Sequence, residues 1–300
     1  MAKKNVSPFR HKLEYICVRL IIAVIIITPL SIAVCLLRLL AFIFWMIDKR
    51  HRLRVEEQIK MALGCDEMTA KRIGKNVYRS LAAMIAELPR LRNLTREKVK
   101  KIIDTNNALP KIQKILNEGN GLICATGHIS NWELCGMAGV LLGFSKGAIA
   151  RPLDNPYINH YVREFRESCG QEIWDKKGAL VNVVRTLKQK SGFGILTDQD
   201  AGKRGIFVDF FGKPASTIPT VAELSIRQNA PIMVIWIKRI KPMQFELIAS
   251  DVIRPNHEED QKKETVRILT AVNQCLEKAI LEAPEQWLWM HRRWKTQPNE

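Results

Sequence analysis

The sequence predicts an α/β fold: a mostly parallel central sheet flanked by helices, with an N-terminal membrane-anchoring helix. Three observations support this prediction. Short apolar runs alternate with helical patterns from residue 119 onward, which is the order of βα units in a parallel sheet. The first run, residues 121–126, is apolar and bounded by glycine, as expected of a buried strand. Residues 20–37 carry no charge and are about long enough to cross a bilayer as a helix.

The chain divides into three predicted parts. Residues 1–50 form the membrane anchor and residues 51–118 a helical connecting layer. Residues 119–300 form the α/β core, which ends in a segment rich in tryptophan and arginine. With 47% hydrophobic residues in a chain of 300, a sizeable buried core is expected.

The predicted anchor lies between Arg19 and Arg38. A secretory signal peptide is less favoured, because the run is long and no small-residue cleavage site follows it. Pro29 is expected to kink the helix, and Arg38 to snorkel or lie at an interface. Five Lys or Arg residues flank the run on each side, so the charges do not orient it. A helix lying partly in the membrane interface remains the alternative to a span.

The connecting layer is rich in helix formers and basic residues over residues 55–116. Asp66 followed by Thr69 is typical of a helix start, and breaks are expected near Gly64, Pro89 and Pro110. The charges of this layer are interpreted as solvated helix faces.

Strands and helices then alternate through the core. The predicted strands are residues 121–126, 147–151, 172–174, 193–197, 206–211, 231–237 and 245–249. The predicted helices are residues 134–144, 156–170, 179–190, 218–229 and 265–281. The pattern contains no internal repeat and no low-complexity segment.

The overall charge and the cysteines limit the functional classes. A formal net charge of +17 calls for an anionic partner: nucleic acid, an anionic membrane surface or an acidic substrate. The seven cysteines form no C-x-x-C pair, and several lie in apolar runs, which indicates buried thiols in a reducing compartment. A Cys/His metal site is not predicted.

His128 and Glu133 follow the first core strand, at the turn that leads into a helix. Open α/β sheets place their chemistry beyond the carboxyl ends of their strands. A histidine whose ring is oriented by a carboxylate can remove the proton of a hydroxyl group, which makes the hydroxyl oxygen a nucleophile. The alternative is purely local, because Ser130 and Glu133 also fit the capping box of a helix.

Further polar segments follow other predicted strands. Residues 151–156 place Arg151 at a strand end beside a rigid proline turn, and residues 197–205 surround two acids and two bases with glycines. Residues 284–295 interleave three tryptophans with three basic residues. Their two interpretations are a terminal helix with tryptophans in the core, and an interfacial or phosphate-binding segment. Walker and dinucleotide-binding patterns are absent from the sequence, so nucleotide binding is not predicted.

Taken in order, these segments resemble the bacterial lipid A secondary acyltransferases of the lysophospholipid acyltransferase superfamily. The resemblance covers about residues 16–298. It rests on Gly127-His128-x4-Glu133, Arg151-Pro-x-x-Asn-Pro156, Asp198-Gln-Asp-x-Gly202, Phe207-Val-x-Phe-Phe-Gly-x-Pro-Ala215 and Pro284-Glu-Gln-Trp-x-Trp-x-His-Arg-Arg-Trp-Lys295. The Phe-Pro-Glu-Gly phosphate motif of glycerol-phosphate acyltransferases is absent, which argues against a phospholipid acceptor.

The resemblance implies transfer of a fatty acyl group from acyl-carrier protein to a hydroxyl of a lipid A precursor. The expected target is the 3-hydroxyl of one of the precursor's hydroxyacyl chains. The expected place is the cytoplasmic face of the inner membrane of a Gram-negative bacterium. The expected partners are acyl-carrier protein, a phosphorylated glycolipid and the membrane, with no nucleic acid, metal or organic cofactor. The implied catalytic residues are His128 and Glu133. The implied substrate-binding residues are Arg151, Asn155, Asp198, Asp200, Lys203, Arg204, Arg292 and Arg293.

The expected mechanism is direct transfer in a ternary complex. His128 removes the hydroxyl proton, Glu133 fixes the imidazole tautomer, and helix N–H groups with Arg151 meet the oxyanion. A covalent route through Cys124 or Cys135 is less favoured, because nothing basic lies beside either in sequence. The rival functions are acylation of another glycolipid, such as a mannosylated inositol lipid, and a membrane-tethered nucleic-acid-binding protein suggested by charge alone.

Overall fold

A seven-stranded sheet forms the centre of the computed structural model, which describes residues 7–175 and 178–298. In chain order, the strands are β1 Ile103–Asp104, β2 Leu122–Thr126, β3 Gly147–Ala150, β4 Glu172–Asp175, β5 Gly192–Leu196, β6 Ile206–Phe210, β7 Lys213–Thr217, β8 Ile232–Lys241 and β9 Gln244–Ala249. Of these, β6 and β7 form a separate two-stranded sheet. The helices are α1 Pro8–Ile27, α2 Leu30–Ile47, α3 Lys49–Leu63, α4 Glu67–Glu87, α5 Arg96–Ile102, α6 Ala108–Asn117, α7 Trp132–Leu141, α8 Pro156–Glu167, α9 Ala179–Lys188, α10 Thr220–Gln228 and α11 Gln261–Glu282.

The strand order in the sheet is β1-β9-β8-β2-β5-β3-β4. Strands β8, β2, β5, β3 and β4 are mutually parallel, whereas β9 pairs antiparallel with β8 and parallel with β1. The predicted α/β class with a mostly parallel sheet is therefore confirmed. Because the parallel strands run the same way, the segments that follow β2, β3 and β5 all emerge at one edge of the sheet.

Both faces of the sheet are covered, so its central strands are buried on both sides. Leu122 and Cys124 of β2 pack into one hydrophobic cluster with α6 and α7, and Ile123 and Ala125 pack into a second cluster with α9, α10 and α11. This alternation follows from the period of two along a strand. It explains why the sequence of β2 is apolar throughout rather than alternating.

The predicted anchor run of residues 20–37 is not one helix, which corrects the sequence prediction. α1 ends at Ile27 and α2 begins at Leu30, because Pro29 lacks the N–H that a continuous helix needs. The guanidinium of Arg90 donates to the carbonyl oxygens of Ile25 and Thr28 and so stabilises the break. Among the described residues, the helix long and apolar enough to span a membrane is Leu30–Ile47, which contains Arg38.

Two further differences concern the second half of the chain. Residues 206–217 form an antiparallel β6–β7 hairpin that turns at Phe211 and Gly212, both with positive φ, where one strand was predicted. The tryptophan-rich segment does not form the terminal helix considered above: α11 ends at Glu282, and an irregular chain follows a short 3-10 turn at Pro284–Gln286. The basic residues 3 and 4 of the anchor and the last two residues of the predicted core lie outside the described residues.

Candidate active site

His128 and Asp198 meet beyond the carboxyl ends of two adjacent strands. β2 and β5 are paired in register with Thr126 opposite Leu196, so the residues two positions further along each chain are also neighbours. The Nδ1 atom of His128 lies 2.8 Å from Oδ1 of Asp198, and the main-chain N–H of His128 donates to Oδ2 at 2.6 Å. The sequence predicted both residues for the site but did not predict this contact.

Asp198 is held as a charged carboxylate inside the protein. It is 2% exposed, and the indole N–H of Trp287 also donates to its Oδ2 atom, at 2.8 Å. Burial would raise the pKa of this carboxyl, but His128 and Trp287 outweigh burial and lower the pKa to about 2. Trp287 belongs to the C-terminal segment, whose tryptophans were predicted as core or interface residues rather than as part of the site.

The Asp198 carboxylate decides the tautomer of His128. An ionised carboxylate only accepts hydrogen bonds, so Nδ1 carries the proton and Nε2 presents its lone pair. The side-chain amide of Gln199 lies 3.4 Å from that Nε2 atom, and the ring of Trp132 packs edge-on with its centroid 5.0 Å away. Burial would lower the pKa of His128, but Asp198 and, more weakly, Glu133 raise it above the ordinary value. The ring is therefore arranged as a general base.

The loop that carries His128 is fixed by the C-terminal segment. Ser130, which has a positive φ of 53°, donates its main-chain N–H to the carbonyl oxygen of Gln286 at 2.6 Å. Leu288 donates its N–H to the carbonyl oxygen of His128 at 3.1 Å. A Cβ atom on Gly127 would lie 3.1 Å from Oδ2 of Asp198, so the close approach of this loop to the carboxylate favours glycine there.

A buried ion pair supports the same loop from behind. Glu87 of α4 is fully buried and receives two hydrogen bonds of 2.8 Å from the guanidinium of Arg239 on β8. The side-chain amide of Asn131 donates to Glu87 at 3.1 Å, and its Oδ1 atom accepts the N–H of Leu134 and caps α7. The helical layer, the sheet and the active-site loop thus share one polar network.

Glu133 does not form the predicted hydrogen bond with His128. It forms a double hydrogen bond with Arg166 of α8, at 2.6 and 2.8 Å, and both side chains are largely buried. The physical reason is the helix geometry: Glu133 lies in the first turn of α7, on the side that faces α8. The capping-box interpretation also fails, since Asn131 rather than Ser130 caps α7.

Besides Asp198, three of the predicted substrate-binding residues have structural partners. Asn155 caps α8 and donates its amide to the carbonyl oxygen of His11. Asp200 accepts a hydrogen bond from the Thr296 hydroxyl at 3.0 Å. Arg293 is fully buried, donates to Ser216 and Thr217 at 2.6 Å, and has a pKa lowered to about 10 by burial. All three side chains thus have roles within the fold, and their part in substrate binding stays a prediction.

The remaining predicted residues are exposed cations near the same edge of the sheet or on loops that follow it. Arg151 follows β3, is 83% exposed and contacts Asp154 at 3.2 Å. Lys203 and Arg204 lie on a 3-10 turn after β5, and Arg292 lies in the C-terminal segment, all of them exposed. These side chains remain available to an anionic ligand.

An apolar pocket lies beside the catalytic edge, between α7, α8 and the sheet. Thr126, Trp132, Glu133 and Arg166 line its outer part, close to His128. Its walls run along β3 and β5, where they consist mainly of small residues, and its inner end is lined by Gly139, Phe144 and Ser145. Its cavity volume is about 80 Å³, and its lining is mainly apolar.

The pocket also contains two thiols. Burial raises the pKa of Cys124 well above its ordinary value and raises that of Cys135 to about 12. Both therefore stay protonated at neutral pH, and a thiol is a far weaker nucleophile than a thiolate. This disfavours a covalent intermediate on either cysteine.

Comparison with known proteins gives the site its context. The chain is 25% identical over 185 residues to a lipid A biosynthesis acyltransferase of Haemophilus influenzae, covering 61% of this chain and 58% of that protein. It is 28% identical over 154 residues to a lipid A biosynthesis lauroyltransferase of Escherichia coli, covering 50% and 49%. It is 24% identical over 152 residues to a phosphatidylinositol mannoside acyltransferase of Mycobacterium tuberculosis, covering 49% and 48%.

The chain thus spans about half the length of these curated relatives. The match to a family model is more extensive, since it covers residues 3–296 and includes every residue of the site described above. The chain belongs to the bacterial lipid A biosynthesis acyltransferases.

Proposed function

We propose that this protein transfers a fatty acyl group from acyl-carrier protein to a hydroxyl of a lipid A precursor, at the cytoplasmic face of the inner membrane. The observation that carries the proposal is the His128–Asp198 pair, which lies beside an apolar pocket. A general base next to a space for a hydrocarbon chain is what acyl transfer to an alcohol requires. The family match and the apolar helix Leu30–Ile47 support the lipid substrate and the membrane.

His128 acts as the general base in this proposal. Its Nε2 atom takes the proton of the acceptor hydroxyl, the oxygen attacks the thioester carbonyl, and a tetrahedral intermediate forms. Collapse of the intermediate breaks the C–S bond, and the imidazolium returns its proton to the leaving thiolate. Asp198 holds the tautomer and stabilises the imidazolium, with Glu133 contributing at longer range.

The oxyanion needs donors on the same edge of the sheet. The first N–H groups of α7, at Trp132 and Glu133, have no partner within the helix and lie at its positive end. Exposed Arg151, after β3, is the candidate cation for the oxyanion or for the phosphate of the acceptor. Arg166 stays paired with Glu133 at the pocket mouth, where the pair orders the wall beside the thioester.

The acyl chain of the donor occupies the apolar pocket in this proposal. Burying one methylene group there contributes about 0.8 kcal/mol, so a long chain gains much of its binding energy from this contact.

A mannosylated inositol lipid is the alternative acceptor, supported by the similarity to the mycobacterial relative. The general base handles only a hydroxyl, so both acceptors are compatible with the same site.

The test is acyl transfer by the purified full-length protein in detergent, followed by lipid mass spectrometry. Acyl-carrier protein carrying one fatty acid is offered with a lipid A precursor or with a mannosylated inositol lipid. We expect a mass gain of one acyl chain on the lipid A precursor. His128→Ala should lower the rate about 10²–10⁴-fold, because the general base is lost.

The matched control is His160→Ala, since His160 lies exposed on α8 and pairs with Glu164. It should retain the wild-type rate. Transfer that proceeds equally in His128→Ala contradicts the general base, and transfer to the mannosylated lipid alone contradicts the lipid A acceptor.

A further inference from the structure

The groove between the helices α2 and α4 concentrates positive charge. The two helices run antiparallel, since Val34 of α2 packs on Ala86 near the end of α4, and Phe42 meets an earlier turn of α4. There, Nζ of Lys75 lies 4.6 Å from the ring centroid of Phe42. Residues four apart share one face of a helix. These contacts therefore fix which side chains face each other along the groove.

Arg38 and Arg79 face each other in this groove. Each lies one helical turn from the contact just described, Arg38 toward the start of α2 and Arg79 toward the end of α4. Arg79, Arg239 and Glu87 lie close enough to Arg38 to interact with its charge. Two guanidinium groups on facing helices repel each other unless an anion lies between them.

The nearby carboxylate of Glu87 does not compensate for these charges. It is fully buried, and it accepts two hydrogen bonds from Arg239 and one from Asn131. Arg38, Arg79 and Arg239 thus bring three positive charges to a place where Glu87 brings one negative charge. A partly buried charge without a counter-charge is costly, so the groove favours an additional anion.

The two facing guanidinium groups are accessible to such an anion. Among the described residues, neither of them is paired with a carboxylate, and Arg79 contacts Oδ1 of Asn76 on its own helix at 3.5 Å. Nε of Arg38 is buried without a hydrogen-bond partner, but the residue as a whole is half-exposed, and Arg79 is exposed. The outer nitrogens of both side chains are therefore open to a ligand that arrives from the surface.

The surface around the groove indicates what carries the anion. Leu36, Leu39 and Leu40 are exposed on α2 beside Arg38. An apolar surface next to a cation fits a lipid, with its chains against the leucines and its headgroup at the charge. The planar fork of donors on a guanidinium suits the oxygens of a phosphate group.

We propose that Arg38 and Arg79 bind the phosphate group of a membrane lipid between α2 and α4. A phospholipid of the leaflet and the phosphorylated acceptor both present this group. The apolar surface of α2 alone allows a span or a helix that enters one leaflet, whereas a phosphate at Arg38, in the middle of α2, requires the second. The site is separate from the general base, so its test needs no acyl transfer.

The experiment measures lipid binding by the purified full-length protein in detergent, using native mass spectrometry over a series of lipid concentrations. The probe is phosphatidic acid, and diacylglycerol with the same acyl chains is the control without phosphate. We expect Arg38→Gln and Arg79→Gln each to weaken binding of phosphatidic acid about 10- to 150-fold, as for loss of a hydrogen bond to a charged group. Diacylglycerol should not distinguish these variants from the wild type.

Two further variants test the geometry and the specificity. Arg38→Lys should weaken binding by less than Arg38→Gln, because an ammonium keeps the charge but loses the planar fork. Arg227→Gln removes an exposed arginine of α10, outside the groove, and should bind phosphatidic acid as the wild type does. Binding that is unchanged in both Arg38→Gln and Arg79→Gln would overturn the site.

Competition identifies the source of the phosphate. Displacement of phosphatidic acid by the lipid A precursor assigns the site to the acceptor, and simultaneous binding of both lipids assigns it to a phospholipid. Inorganic phosphate should bind more weakly than phosphatidic acid, because it makes no apolar contact with α2. Equal affinity for inorganic phosphate would contradict a lipid ligand.

Thermal unfolding in lipid-free detergent separates binding from a folding defect. Removing one of two facing positive charges should leave the unfolding temperature unchanged or raise it. Added phosphatidic acid should raise the unfolding temperature of the wild type more than that of Arg38→Gln, because a ligand stabilises the form that binds it. A lower unfolding temperature of both Arg38→Gln and Arg79→Gln without lipid would show that the arginines serve the fold, and would overturn the proposal.

Discussion

At the scale of the residue, the contact between His128 and Asp198 links catalysis to protonation. The folded pKa of His128 is raised and that of Asp198 is lowered to about 2. The stability that the histidine gains from this contact is present below its unfolded pKa of 6.5 and is lost as the pH rises through its folded pKa. The stability that Asp198 gains is present above 3.8 and is lost as the pH falls toward about 2.

Asp198→Asn should change both the rate and its pH dependence. A general base works in its neutral form, so the acid limb of the wild-type kcat/KM profile should lie above the ordinary histidine pKa. Removing the carboxylate leaves burial, which lowers the pKa of His128, so the acid limb should move to lower pH. The rate at the plateau should also fall, by no more than the about 10²–10⁴-fold expected for His128→Ala, because the tautomer is no longer fixed.

Glu133→Gln is the matched comparison, because Glu133 acts on His128 only at longer range and bonds to Arg166. The acid limb of the kcat/KM profile of Glu133→Gln should also move to lower pH, but by less than in Asp198→Asn. The plateau rate of Glu133→Gln should also fall by less than that of Asp198→Asn. A larger loss in Glu133→Gln than in Asp198→Asn would make Glu133 the main partner of the imidazole during the reaction.

At the scale of the element, the polar network of Glu87, Arg239 and Asn131 joins α4, β8 and the active-site loop. Both charges of the ion pair are buried, with exposures of 0% for Glu87 and 7% for Arg239. Buried pairs add little stability compared with an apolar pair of the same shape, but breaking one is costly because a charge is left alone. The network therefore makes the position of the loop depend on the helical layer.

Glu87→Gln should destabilise the protein by about 3–5 kcal/mol, since Arg239 keeps its charge without a buried counter-charge. Urea unfolding of the full-length protein in detergent, followed by tryptophan fluorescence, measures this. The control is Glu164→Gln, an exposed pair with His160 that should change the free energy of unfolding by less than about 1 kcal/mol. Equal effects of the two changes would show that the network does not hold the loop.

At the scale of the whole molecule, the apolar surface is concentrated at the N-terminus. In the part of the chain that the structure describes, more than half of the exposed large apolar side chains lie on α1 and α2. Such a surface is typical of a membrane contact, and the break at Thr28 and Pro29 lets the two helices take different directions. A spanning α2 and a helix pair that enters only the inner leaflet are both compatible with this arrangement.

In the proposed function the catalytic residues must face the cytoplasm, because the donor, acyl-carrier protein, is cytosolic. A cysteine introduced at exposed Lys188, at the end of α9, should therefore resist an impermeant thiol reagent in intact cells and react after lysis. The background lacks the native cysteines, of which Cys17 and Cys35 are exposed on α1 and α2. Labelling at residue 188 before lysis would contradict the carrier-protein donor.

The sequence by itself located most strands and helices of the core and the strand ends that carry His128 and Asp198. Apolar runs and glycine boundaries located β2 and β5, and the parallel class placed His128 and Asp198 at the same edge. These predictions succeed because the period of a strand or helix is written in neighbouring residues. The break at Pro29 is local in the same sense, since a missing N–H acts within one helical turn.

Only the tertiary structure decided which side chains meet. Asp198 became the partner of His128 because β5 lies beside β2 in register, a pairing of residues 70 positions apart that no local pattern encodes. Glu133 bonds to Arg166 because α8 places Arg166 opposite the first turn of α7. Trp287 reaches Asp198 because the chain after α11 crosses the active-site loop. Contacts of this kind depend on strand order and helix packing, which are set by burial of the whole core rather than by the spacing of residues along the chain.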